Sequence, residues 1–113
     1  MTAQATRDAL AEMDGWRIDT PTDRTHPAAI WWRWNDAHML KSRTWCRTHP
    51  HAPTLDGADA AVPEGWTWSR SRYSWFGEHD DRVEMIQVPD TGDKIADLYA
   101  LALACRRAME NKA

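Results

Sequence analysis

Apolar positions change their period along this chain, and the changes mark out its elements. Across 6–14, Ala9, Leu10 and Met13 form a narrow stripe at helical spacing, with Thr6 as the expected cap and Asp8 near the positive end. Gly15 is placed to take the left-handed position that closes a helix, and Trp16 is the apolar residue that folds back on the last turn. Residues 17–27 read as a loop with room for one edge segment, because Pro21 and Pro27 block a central strand. From 28 to 35 the period drops to two. Ile30, Trp32 and Trp34 share what is expected to be the core face, which leaves Trp31 and Arg33 side by side on the outer one.

The middle of the chain is harder to read. Residues 36–47 fit either a short helix or a second strand, and 48–54 form a loop dictated by Pro50 and Pro53. Residues 55–62 predict a helical turn capped by Thr54 or Asp56, followed by a turn at Pro63-Glu64-Gly65. The stretch 64–76 reads as one central strand. Trp66, Trp68, Arg70, Arg72 and Phe76 fall on one face, with Thr67, Ser69, Ser71, Tyr73 and Trp75 on the other. Two arginines in the middle of an apolar face mean either that the strand bulges or that this face meets an anionic partner. A polar connection at 77–81 leads to a third strand at 82–88, ended by Pro89.

The last element has the clearest pattern. Residues 93–110 are helical, capped by Thr91 or Asp90, with Asp93 in the first turn. Ile95, Leu98, Ala102, Cys105 and Met109 recur at spacings of three and four, and Leu101 and Ala108 widen the stripe. Arg106, Arg107 and Lys112 suit its negative end. The pattern gives an α+β fold: an antiparallel sheet of three to four strands with an N-terminal and a C-terminal helix packed on it, in a single domain spanning 1–113.

Eight tryptophans against one phenylalanine change this picture. So small a core cannot bury all of them, and each buried indole needs a partner for its N–H. The net charge of −3 gives no global basic field. Charge is nevertheless uneven: Arg33, Lys41, Arg43, Arg47, Arg70 and Arg72 outnumber Asp36, Asp56, Asp59 and Glu64 within 31–75. The Trp-rich middle is the basic part of an acidic chain. Cys46 and Cys105 are expected as free thiols. No apolar run is long enough to span a bilayer, and the first residues lack a signal-peptide core, so a cytoplasmic protein without membrane partners is expected.

The helix closing on Asp14-Gly15-Trp16, and the capped alanine-rich helix that follows Val88-Pro89, resemble small phage proteins of the "phage ABA sandwich" type over about a third of the chain. Residues 31–75 depart from that pattern. The resemblance implies a compact α/β build, a viral genome and the host cytosol, and supplies no catalytic residues. It also implies an anti-defence role, because such proteins often antagonise host defence and some sequester nucleotide second messengers.

Three constellations bear on chemistry. Cys46, His49 and His51 bring metal-ligand types together, but no paired motif completes a zinc set, and no metal or cofactor is expected. Cys46 beside Arg47 and near His49 is the one nucleophile candidate. With no phosphate loop and no nucleophile elbow, the reading is not an enzyme. The third is aromatic and cationic: Trp31 with Arg33, and Trp66 and Trp68 with Arg70, Arg72 and Tyr73. Rings stack on bases, and guanidinium forks onto phosphate. These seven residues are the expected ligand-binding set for an anionic nucleotide-type small molecule, held by sequestration. So small a chain would enclose it at a subunit interface, hence as a homo-oligomer. The alternatives are a module that blocks a host defence protein, since Trp and Arg also dominate protein hot spots, and single-stranded nucleic-acid binding.

Overall fold

The computed structural model describes residues 3–18, 30–35, 42–46 and 48–110. Helix α1 (Ala3–Met13) is followed by β1 (Arg17–Ile18), β2 (Trp31–Asn35), β3 (Ser42–Cys46), helix α2 (Leu55–Ala61), β4 (Trp66–Arg70), β5 (Ser74–His79), β6 (Ile86–Pro89) and helix α3 (Lys94–Glu110). The fold is α+β and antiparallel, with helices at both ends. Among the described residues the strands divide into two sheets of three, ordered β1-β2-β3 and β4-β5-β6.

Local signals account for the helix ends. Gly15 takes φ +89°, Trp16 N–H donates to Ala11 O at 3.0 Å, and Gly15 N–H donates to Glu12 O at 3.1 Å, which together close α1. Thr6 is not the cap: α1 begins at Ala3, and Thr6 is buried inside it. Thr54 caps α2 by accepting Gly57 N–H at 3.0 Å. For α3 the cap is Asp93, whose carboxylate accepts Ala96 N–H at 3.1 Å, rather than Thr91 or Asp90. Thr91 instead gives both its N–H and its hydroxyl to Asp97 in the first turn of α3.

Helix α3 is the centre of the core. Leu98, Tyr99, Leu101, Ala102, Leu103 and Cys105 are buried, with α1 and α2 packed against the helix and the second sheet under it. Gly77 of β5 permits a close approach of the second sheet to α3. A Cβ there would stand 2.7 Å from Cys105 Sγ.

The 64–76 stretch is a hairpin rather than one strand. Pairing runs Trp66↔His79, Trp68↔Gly77 and Arg70↔Trp75, and Ser71 N–H donates to Ser74 O at 2.8 Å. Arg72 and Tyr73 are therefore the tip. The reversal changes the parity: Trp75 joins Trp66 and Trp68 on the face beneath the helices, and Phe76 moves to the opposite face. Gly77 to His79 extend β5 and are not a connection. The following turn is tied by Arg82 N–H to His79 O at 3.1 Å.

Candidate ligand-binding face

The seven residues expected to bind ligand do not share a surface. Trp31 and Arg33 lie in the first sheet, Trp66, Trp68 and Arg70 in the second, and Arg72 and Tyr73 at a hairpin tip. Trp66 is buried core at 7% exposure, with its ring against His79 and the Arg82 guanidinium 5.7 Å from it. Its indole N–H finds no partner among the described residues. Trp68 sits half over Trp75, and its N–H donates to Asp59 at 2.6 Å. Arg70 lies over the Trp75 ring at 5.0 Å and pairs with Asp90 at 2.7 Å. That guanidinium, aided by Gly92 N–H, holds the Asp90 carboxyl below its ordinary range. The two arginines that looked misplaced on a core face are thus explained locally: Arg70 caps the edge of the core, and Arg72 stacks on Tyr73 in the open.

The faces of β2 are the reverse of the expected ones. Trp31 is the buried indole, at 3% exposure, and its ring packs 4.8 Å from His49. Arg33, on the same side of the strand, lies 4.8 Å from the Trp16 ring at the end of α1. These two contacts turn one face of the first sheet toward the body of the protein. By parity the other face turns out, and Trp34 is left 48% exposed.

That outward face is built from three strands. Arg17 pairs with Trp32, Trp32 with Trp45, and Trp34 with Arg43, and directly opposed residues project on the same side. Its paired strand positions among the described residues are therefore Arg17, Trp32, Trp34, Arg43 and Trp45, with no carboxylate among them, and Ile30, just before β2, continues the same alternation. Trp32 meets Trp34 edge-on at 5.7 Å and Trp45 at 6.3 Å. The Arg43 guanidinium lies 4.5, 5.0 and 5.9 Å from the centres of Trp32, Trp34 and Trp45. It has no acidic partner among the described residues, and Trp45 is 49% exposed. Such ring and cation–ring contacts each hold a small exposed sheet by roughly 0.5–1 kcal/mol. They also leave ring faces and guanidinium edges available to a ligand. Sequence reading missed this face because it placed Trp32 and Trp34 in the core and left the strand at Ser42–Cys46 undecided. The signal that finds it is Arg43-x-Trp45 at period two, matching Trp32-x-Trp34.

The cysteine and histidine group has a structural task. His51 backbone N–H donates to His49 Nδ1 at 3.0 Å, so the His49 proton sits on Nε2, which donates to Asp8 at 2.7 Å. Both ring nitrogens are committed, and neither is left for a metal or for the Cys46 thiol, which donates to Thr48 O at 2.9 Å. Among the described residues no three His, Cys, Asp or Glu side chains converge on a metal position. Arg7 donates to His51 O at 3.2 Å, Tyr99 hydroxyl donates to Ala52 O, and Arg106 pairs with Asp14 at 2.7 Å. The loop is thereby fastened to α1 and α3. Burial lowers the pKa of both His49 and His51, against the opposing pull of Asp8 and Asp14.

A cleft of about 330 Å³ lies elsewhere, between Thr6 of α1, Val88 and Pro89 of β6, and Ala100, Leu103 and Arg107 of α3. It contains none of the expected ligand-binding residues. Among the described residues no helix is long and apolar enough to cross a membrane. The chain matches no protein-family model, no curated protein and no solved structure.

Proposed function

We propose that this is a non-enzymatic binding protein that holds an anionic, base-bearing ligand of the nucleotide type against the outward face of the first sheet. One observation carries the reading: the five paired strand positions of that face among the described residues are three tryptophans and two arginines, with no carboxylate. A base stacks on an exposed indole such as Trp34 or Trp45, and the Arg43 guanidinium takes a phosphate. Sequestration of a nucleotide signal, the role implied by the resemblance to small phage proteins, belongs to this proposal, as does a homo-oligomer that would enclose the ligand. A protein partner is the second reading, favoured by the weight of Trp and Arg in protein hot spots. The nucleotide reading ranks above it because the exposed rings surround a guanidinium with no acidic partner among the described residues.

The test is a titration of nucleotides, ADP-ribose among them, followed by tryptophan emission and thermal shift. A ligand present at one hundred times its Kd stabilises the fold by about 2.7 kcal/mol. Quenching should be lost in Arg43→Glu and Trp45→Ala and kept in Arg70→Ala, whose side chain is engaged by Asp90. No response to any nucleotide or short oligonucleotide, or an undiminished response in Arg43→Glu, sinks the reading.

A further inference from the structure

We infer that the ligand of this face is an open single strand of several linked nucleotides, not a free mononucleotide. The inference rests on the proposed function and specifies its ligand. It follows from how the five side chains are spaced.

The three rings form a connected run, with Trp32 between Trp45 at 6.3 Å and Trp34 at 5.7 Å. A nucleobase is about as large as an indole, so one base covers one ring and leaves the others wet. The rings are tilted to each other, by 88° for Trp32 and Trp34 and by 46° for Trp32 and Trp45. A single rigid ligand cannot lie flat on two of them, whereas a strand with a rotatable backbone can.

The cations suit the same ligand. Arg17 is on β1 and Arg43 on β3, the two outer strands of the sheet, with β2 between them. Arg17 is opposite Trp32, while Arg43 is opposite Trp34, two residues further along. Their backbones are then roughly 12 Å apart, from two strand spacings across and two residues along. Side chains as long as arginine can converge on one phosphate over that span, and they can equally take two successive phosphates of a strand that crosses the rings. Arg17 is exposed and gives one N–H to Trp16 O at 3.1 Å, with no acidic partner among the described residues. Two phosphate contacts and three stacking faces also reconcile nucleic-acid binding with a net charge of −3. Affinity then rests on stacking more than on counterion release.

The experiment is fluorescence anisotropy with labelled oligo-dT of one, two, three and six nucleotides, alongside unlabelled AMP and a cyclic dinucleotide as competitors. Affinity should rise about tenfold per added nucleotide up to three and then flatten. The salt dependence for the hexamer should be shallow, with a slope of log K against log salt of about −1.4 for two phosphates on a single strand. Arg17→Ala should reduce that slope by about half. Trp34→Phe should keep most of the affinity, while Trp34→Ala loses about tenfold, with circular dichroism checking that both stay folded. Equal affinity for AMP and the hexamer overturns the inference and leaves the proposed function standing. A cyclic dinucleotide that outcompetes the hexamer does the same. Binding of none of these probes overturns both.

Discussion

Gly77→Ala tests the packing that joins α3 to the second sheet. Gly77 is not among the glycines with positive φ, so its missing side chain serves space and not conformation. An added Cβ would lie 2.7 Å from Cys105 Sγ, 3.5 Å from Leu101 Cδ1 and 3.6 Å from Trp66 Cε3. The first distance is a clash, and the other two are ordinary contacts. Cys105 is fully buried, and its thiol sits on a helix backbone that cannot retreat without moving Leu101 and Ala102. Overpacking of this kind costs about 1–3 kcal/mol. Replacing glycine in a strand interior returns roughly 0.5–1 kcal/mol. The net loss should be about 1–2 kcal/mol, or a Tm lower by about 5 °C for a chain of this size. Cys105→Ala alone should cost a similar amount, since it removes one buried heavy atom and leaves a small hole. Together the substitutions should cost less than their sum, because the new methyl occupies the space the sulfur left. A coupling of about 1–2 kcal/mol is expected. Urea unfolding followed by tryptophan emission measures all four corners of the cycle. If Gly77→Ala costs the same with alanine at position 105 as with cysteine, the contact is not what limits this position.

Two further predictions concern titration and access. Burial pushes the Cys105 thiol up to about 11, so at neutral pH an aromatic disulfide reagent should label one thiol per native chain, at Cys46, and the second only in denaturant; two fast thiols would contradict the placement of Cys105. Burial also holds His49 and His51 below the ordinary imidazole value of 6.5. The folded chain then binds fewer protons than the unfolded chain, so stability is complete above that value and falls as the pH drops through it toward the lowered folded values. Urea midpoints should be level from about pH 8 to 7 and decline below about 6.5, and the decline should be smaller in His49→Gln/His51→Gln. A midpoint that rises on acidification refutes the assignment.

Several of the chain's local signals were legible, though the starts of α1 and α3 were not, since neither Thr6 nor Thr91 or Asp90 is the cap. Gly15-Trp16 stops α1, Thr54 starts α2, and the three-four spacing of Leu98, Ala102 and Cys105 buries the inner side of α3, because caps and helical periodicity depend only on residues within one or two turns. Period two likewise found the alternation in β2 and β4. The reversal at Arg72-Tyr73 escaped notice because its tip contains no glycine, proline, asparagine or aspartate to mark a turn. Alternation also says which residues share a face, but not which face is inward. For Trp31 against Trp32 that choice was made by residues far away in sequence: His49, held by Asp8 of α1, receives the Trp31 ring, and Trp16 receives Arg33. Tryptophan is at home in a core and at a wet surface alike, so its identity gave no preference between the two sides. Only the docking of β2 against the His49 loop and the end of α1 turned Trp32, Trp34 and Trp45 outward around Arg43. The same docking shifted the β2 part of the candidate site by one residue, from Trp31 and Arg33 to Trp32 and Trp34, while the five expected residues between 66 and 73 lie in the second sheet and at its hairpin tip.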